Sequence, residues 1–307
     1  MRPYHRKLTL MKRFIILFLI FLLTLCGCSA PQDTAQIAAT TLPVYEFTLR
    51  LCEGTPITVT RLVTEEVSCL HDYSLNVRQV KAAESAELLV ISGAGLEEFL
   101  EDLLEGKQII DASYGIELLH SEDDHHHEDA PAEEESHEGH HHEQDPHIWL
   151  SPLHAQNMAN NIWNGLCARY PNHQERFTQN LHALLSDLDA LYLYGQETLE
   201  DLSCRDLITF HDGFAYFADC FDLHILEAVE EESGSEASAK ELIHLIKEVE
   251  YHSLPAIFTE KSGSVSASGI IARETGCESF ALDMAMTGDS YFEAMYHNIN
   301  TIKEALG

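Results

Sequence analysis

Short apolar runs alternate with longer amphipathic stretches along most of the chain. The apolar, β-branched runs that predict strands are residues 37–42, 57–63, 87–92 and 108–113 in the first half and 207–210, 224–229, 256–260 and 278–283 in the second. The helix-compatible stretches include residues 44–52, 75–85, 239–252, 266–276 and 290–306. Because strands that alternate with helices pair in parallel, the pattern predicts an α/β fold with two mostly parallel sheets, each flanked by helices.

A single long helix is predicted between the two sets of strands. Over residues 174–202, apolar side chains recur at spacings of three and four and no proline interrupts them, which is the pattern of one buried helical stripe. The stripe consists of Phe177, Leu181, Leu184, Leu185, Leu188 and Leu191. About 28 residues of helix are roughly 40 Å long, enough to join two lobes rigidly. We expect an N-terminal lobe over residues 37–170, a linking helix over 171–203 and a C-terminal lobe over 204–307.

The beginning of the chain has the pattern of an export signal. A basic start precedes an apolar run over residues 14–25, and small residues follow it, which is the layout of an export signal. The run is too short for a membrane-spanning helix, which needs about 20 apolar residues. The segment from Leu25 to Cys28 resembles a bacterial lipobox. We expect a signal peptide over residues 1–27, lipid on Cys28 and a tether over 28–36, so that the mature protein is extracytoplasmic and anchored in membrane lipid. An ordinary cleaved signal is the alternative.

The charge of the chain limits its partners. The formal net charge is −33 with histidine neutral, and such a surface repels phosphate backbones, so we expect no nucleic-acid partner. The same surface attracts cations. Six cysteines follow Cys28, but no CxxC pair occurs among them, and six thiols allow fifteen disulfide pairings. The cysteines therefore predict neither a defined disulfide nor a sulfur-based metal site.

Residues 120–143 form a low-complexity segment rich in histidine and acidic residues, without apolar periodicity. We interpret it as a mobile loop that collects metal ions weakly, and a solvated segment without function is the alternative. The histidines assigned to the collecting role are His125, His126, His127, His137, His140, His141 and His142. Residues 137–141 also match the HExxH pattern of zinc proteases, but residues 133–143 have no apolar side chain that could dock such a helix. This match therefore does not indicate a protease.

Four other potential ligands follow predicted strands or precede a helix. His211 comes directly after the apolar run 207–210, Asp283 ends the last predicted strand, His71 follows the loop after residues 57–63, and His147 lies shortly before a helix that begins near Leu153. In open α/β sheets, ligands bind beyond the carboxyl ends of the strands. Three imidazoles and one carboxylate suit Zn²⁺, whereas Mn²⁺ prefers more oxygen donors.

Each of these residues also has an ordinary structural interpretation. A single histidine is more often a surface or core residue, and an aspartate after a strand is often a turn or helix cap. Each histidine has an acidic neighbour, and one or more of these could orient an imidazole. The neighbours are Asp72, Asp145 and Asp212. The residues alone thus make a four-ligand site plausible without proving it.

From about Ile37 to its end, the chain resembles the ZnuA-like metal-binding solute-binding proteins of ABC transporters. The motifs that carry the resemblance include ATTLPVYEFTLRLCEG, HDYSLNVRQVKAAESAELLVISGAGLEEFLE, DPHIWLSP, ITFHDGFAYFADCFDL and LDMAMTGDSYFEAMYHNINTIKEAL. The resemblance implies two lobes joined by a rigid helix, with the metal in the cleft between them. It places the metal on His71, His147, His211 and Asp283. In manganese-binding relatives the third position is typically a glutamate, so His211 favours zinc.

The resemblance implies a monomeric binding protein, not an enzyme, that delivers Zn²⁺ to the permease of an ABC importer. Four protein ligands would leave no open position for an activated water, unlike a catalytic zinc site. The alternatives are a manganese-binding member of the same family, a zinc-dependent hydrolase, and a surface adhesin or zinc-sequestering lipoprotein. Substitution of a candidate general base would reveal a hydrolase, and ligand binding that is independent of His211 would reveal an adhesin.

Overall fold

The computed structural model describes residues 36–67, 70, 73–119, 144–229, 237–261, 263 and 265–307. Several predicted features lie outside these residues: the signal peptide, Cys28 and its tether up to residue 35, His71, and the histidine-rich segment 120–143. Within the described ranges, no helix combines the length and apolar character needed to cross a membrane.

The first half of the chain forms a parallel four-stranded sheet in the order β2-β1-β3-β4. The strands are β1 (Ile37–Ala39), β2 (Val59–Arg61), β3 (Leu88–Ile91) and β4 (Ile109–Asp111). The helices of this half are α1 (Leu42–Leu51), α2 (Val77–Ser85), the short α3 (Glu101–Leu104) and α4 (Pro152–Arg169). Each strand lies inside a predicted run. The predicted strand 37–42 ends early because Thr41 is the N-cap of α1 and a proline stands in its first turn, where proline fits a helix.

The second half repeats this arrangement with strand order β6-β5-β7-β8, again parallel. The strands are β5 (Asp206–Thr209), β6 (His224–Ala228), β7 (Ala256–Glu260) and β8 (Glu278–Leu282). The helices are α6 (Ala215–Cys220), α7 (Ala239–His252), α8 (Ser266–Thr275) and α9 (Tyr291–Leu306). The predicted α/β fold with two parallel sheets is confirmed. The short helices α3 and α6 were not predicted, because four to six residues are too few to show a helical period.

The predicted long helix is present as α5 (Gln174–Leu199), which has 26 residues. Its apolar stripe is buried, apart from the partly buried Leu185, and packs on α4, α1 and α9. At Gly195 a Cβ atom would lie 2.3 Å from the ring of Phe221, so glycine allows a close approach to the second half of the chain. The predicted lobe boundaries at residues 170 and 203 stay predictions.

One hydrophobic core joins the two sheets. It contains fully buried side chains from both halves and from α5, among them Phe47, Trp149, Leu184, Phe217 and Tyr291. Smaller clusters cover the other face of each sheet. Because the helices between the sheets share a single core, the ends of the strands in the two halves lie at fixed positions relative to one another.

Candidate metal site

His147 is held in a buried loop ahead of α4. The next three residues, Ile148–Leu150, form a fully buried 3₁₀ turn, and the His147 residue is only 3% exposed. Its Nδ1 lies 2.7 Å from Asp145 Oδ1, and its backbone N–H donates to the same oxygen at 2.8 Å. A carboxylate on Nδ1 fixes the tautomer that leaves Nε2 free to bind a metal. Of the three acidic neighbours, Asp145 thus lies where it can orient its histidine.

His211 follows β5 and points to the same place. Its Nδ1 lies 3.0 Å from Oε1 of Glu260, whose side chain is 4% exposed. Glu260 is the last residue of β7, the strand beside β5. Burial of the imidazole acts to lower the pKa of His211. The contact with Glu260 and the charges of Glu260, Asp212 and Asp145 act in the opposite direction, and the pKa is raised above its usual value.

The Nε2 atoms of the two imidazoles approach each other at a spacing that fits a shared metal ion. His147 Nε2 and His211 Nε2 are 3.4 Å apart. In a tetrahedral zinc site with bonds of about 2.0–2.1 Å to nitrogen, two ligand atoms are about 3.3–3.4 Å apart. Each ring also has a carboxylate on its Nδ1 side. The pair therefore has the arrangement of two nitrogen ligands, each supported by a carboxylate.

Gly213 lets the two rings approach each other. A Cβ atom at this position would lie 2.7 Å from His211 Cδ2, 3.1 Å from His147 Nδ1 and 2.6 Å from Met284 Cε. Any side chain would therefore displace the candidate ligands. Neither Gly213 nor Glu260 was predicted from the sequence. Glu260 stands at the end of an apolar run, but its role beside His211 could be predicted only if the pairing of β5 with β7 were already known.

Asp283 follows β8, the neighbour of β7. Its backbone N–H and C=O both bond the side-chain amide of Asn298 at 2.7 Å. The carboxylate accepts from the N–H of Ala285 through Oδ1 at 2.8 Å, and Oδ2 lies 3.3 Å from Lys261 Nζ. Asp283 therefore also has the ordinary structural role of an aspartate after a strand, because its carboxylate accepts a hydrogen bond within the turn that it begins.

Two of the four predicted ligands, His147 and His211, are in direct contact. Asp283 follows a strand of the same sheet as His211, and its neighbour Met284 contributes to the cluster around Gly213. Across the described ranges, no group of three or more His, Cys, Asp or Glu side chains is spaced to hold a metal ion. His71 lies outside those ranges. The four-ligand set thus stays a prediction.

Hydrogen bonds fasten the loop after β8 to the first half of the chain. The indole N–H of Trp149 donates to Met284 O at 2.7 Å, and the hydroxyl of Tyr291 donates to Trp149 O at 2.8 Å. The N–H of Leu42 donates to Met286 O at 2.9 Å. Trp149 also packs edge-on against His147, with ring centroids 5.4 Å apart. Trp149 therefore links the segment of His147 with the segment of Asp283.

None of the described cysteines belongs to a group of three or more His, Cys, Asp or Glu side chains that could hold a metal ion. Cys52, Cys167, Cys204, Cys220 and Cys277 are free thiols. Burial raises the pKa of Cys52 to about 12 and that of Cys220 to about 11. Metal ligation requires a thiolate, and these two thiols are protonated at neutral pH.

The chain is similar to metal-binding proteins along nearly its whole length. Residues 37–305 match the family described as zinc-uptake complex component A, periplasmic. A putative metal-binding protein of Treponema pallidum is 27% identical over 299 residues, which are 93% of each chain. The high-affinity zinc uptake system protein ZnuA of Bacillus subtilis is 27% identical over 95% of this chain and 96% of its own. The zinc-binding lipoprotein AdcA of Streptococcus pneumoniae is 28% identical, and the matched region is 58% of its length.

Solved structures share the fold. A crystal structure of ZnuA matches with a TM-score of 0.73 and 27% identity, covering 89% of this chain and 100% of the other. A manganese-bound periplasmic metal-binding protein of candidatus Liberibacter asiaticus matches with a TM-score of 0.74 at 21% identity, over 89% and 100% of the two chains; at that identity the likeness concerns the fold alone. Because the family match covers most of the chain and the two sheets and long helix agree, the chain belongs to the ZnuA family of periplasmic metal-binding proteins, which are not enzymes.

Proposed function

We propose that this protein binds Zn²⁺ outside the cytoplasm and delivers it to the permease of an ABC importer. The observation that carries the proposal is the pair of imidazoles formed by the buried His147 and the partly buried His211, with Nε2 atoms 3.4 Å apart and a carboxylate on each Nδ1. His71 and Asp283 complete the proposed ligand set. Lipid on Cys28 would hold the protein at the membrane, and release of the ion would require the permease.

The nature of the two ligands favours zinc over manganese. Imidazole nitrogen suits Zn²⁺, whereas Mn²⁺ is better served by carboxylate and carbonyl oxygen. Both rings are held by buried carboxylates, Asp145 and Glu260. Each carboxylate lies at the Nδ1 of its histidine, so both histidines present a nitrogen donor, Nε2, to the ion. The names of the ZnuA and AdcA relatives support zinc as well. The histidine-rich segment 120–143 would collect zinc weakly and raise its local concentration.

The proposal is tested by a zinc competition titration against a chromophoric chelator. The mature protein and a variant without residues 120–143 are each expected to bind one tight equivalent. His211→Ala should abolish this equivalent, and His182→Ala, at an exposed position on α5, should retain it. Loss of tight binding on removal of the loop would instead indicate a zinc-sequestering surface protein. If Mn²⁺ competed for the tight site as effectively as Zn²⁺, the result would indicate a manganese-binding protein.

A further inference from the structure

A lysine lies against the carboxylate that is proposed to bind the metal. Lys261 Nζ is 3.3 Å from Asp283 Oδ2. The two residues follow neighbouring strands in register, since Glu260 pairs with Leu282 and the Lys261 N–H donates to Leu282 O at 2.8 Å. The backbone of the sheet therefore holds this ammonium group close to the proposed site.

The two oxygens of Asp283 are not equivalent. Oδ1 accepts from the N–H of Ala285, and the main chain of Asp283 is fixed on both sides by the buried amide of Asn298. The main chain therefore cannot carry the carboxylate to a new place. Oδ2 is the oxygen that is left for a metal ion, and it is also the oxygen that faces Lys261. An ammonium has three donors and no acceptor, so Lys261 cannot share the ion as a ligand.

The two ends of this ion pair differ in exposure. The side chain of Lys261 is 66% exposed and that of Asp283 is 20% exposed. Lys261 can therefore move into water at little cost, while Asp283 stays at the site. Exposed pairs of this kind are weak, which suits a group that must be displaced each time an ion binds.

We propose that Lys261 is a tethered competitor for the metal: its ammonium occupies Oδ2 of Asp283, lowers the affinity for Zn²⁺ and speeds its release. The inference rests on the proposed function, because it assigns Asp283 as a ligand. When an ion binds, one cation replaces another on the carboxylate. When the ion leaves, Lys261 returns and prevents immediate rebinding.

The test compares the zinc affinity and dissociation rate of the full mature chain with those of three variants. Lys261→Gln removes the competing charge, Lys261→Arg retains it, and Lys247→Gln removes a charge from an exposed position on α7. Affinity is measured with Zn²⁺ alone against a chromophoric chelator, and dissociation by stopped-flow mixing with excess chelator. From the weakness of exposed ion pairs we expect Lys261→Gln to bind zinc about two- to fivefold tighter and to release it more slowly. Lys261→Arg and Lys247→Gln should match the unmodified protein.

A double-mutant cycle shows whether Lys261 acts through Asp283. Asp283→Asn keeps an oxygen for the N–H of Ala285 but removes the charge, so Lys261→Gln should have no effect in this background. Unchanged or weaker zinc binding by Lys261→Gln in the otherwise unmodified chain would overturn the inference, and so would an equal gain in both backgrounds. Absence of a tight zinc equivalent in the unmodified protein and in Lys247→Gln would overturn the proposed function itself.

Discussion

Substitution of Gly213 by alanine tests whether the spacing of the two imidazoles creates the proposed zinc site. The added Cβ would lie 2.7 Å from His211 Cδ2 and 2.6 Å from Met284 Cε, whereas ordinary carbon contacts are about 3.5–4.0 Å. Met284 Cε is the end of a flexible side chain and can move away. The His211 ring is held by Glu260 on its far side at 3.0 Å, so it would have to shift by roughly 1 Å.

A shift of this size is several times the tolerance of a metal bond, which is about 0.2 Å. We expect Gly213→Ala to lower the zinc affinity about ten- to a hundredfold, the effect of disturbing the groups that orient a ligand. Overpacking should also reduce the free energy of unfolding by about 1–3 kcal/mol. The measurements are the chelator titration and urea unfolding without metal.

Gly269→Ala is the matched control. Gly269 lies within α8, and a Cβ there would have no atom within 4 Å, so alanine should stabilise the helix by up to about 1 kcal/mol and leave zinc binding unchanged. Wild-type zinc affinity in Gly213→Ala would refute the argument that the packed imidazole pair forms the site.

Three further predictions follow from the contacts around the site and in the first sheet. Glu260→Gln removes the carboxylate that raises the pKa of His211, and zinc affinity should fall about tenfold because the ring is less well oriented. Acidification should weaken zinc binding by this variant only at a lower pH than in the unmodified protein. Zinc titrations between pH 5 and about 8 measure this effect. Trp149→Phe keeps an aromatic side chain but loses the N–H that donates to Met284 O, so zinc should dissociate faster in stopped-flow assays. Trp163→Phe is the control for the same loss of ring size, because the N–H of Trp163 donates to a threonine near the start of α5, and it should not change the rate. Glu97 is buried, and burial raises its pKa from 4.5 to about 7. The folded state therefore binds its proton more tightly than the unfolded state, and the contribution to stability is complete below the unfolded pKa of 4.5 and is lost as the pH rises to about 7. Urea unfolding at several pH values should show this decline in the unmodified protein, and Glu97→Gln should flatten it; an equal slope in both proteins would contradict the assignment.

The alternation of strands and helices was predictable because its signals are local. Each observed strand lies within a predicted apolar run, except that β5 begins one residue earlier, at Asp206. Helices such as α2 and α7 begin at capping boxes formed by residues three apart. The ends were less predictable: the first strand stops at Ala39 because α1 begins at Leu42, and competition between a short strand and a helix is decided by packing.

The candidate site was predictable only in part. His147 and His211 stand out because each lies next to an apolar segment at a strand end or before a helix, and the structure places them in contact. Glu260 and Gly213 lack such a signal, since a glutamate at a strand end and a glycine in a loop are common. Their roles depend on which strand lies next to β5 and on how closely the following loop approaches the two rings.

Local patterns were enough to predict the class of the fold, the long buried helix and two candidate nitrogen ligands, because hydrophobic period and residue chemistry are properties of short segments. Local patterns do not give the strand order β6-β5-β7-β8, the contact of Glu260 with His211 or the position of Lys261 against Asp283. These contacts join residues that are distant along the chain, and they follow from the way the whole core packs, which no local pattern records.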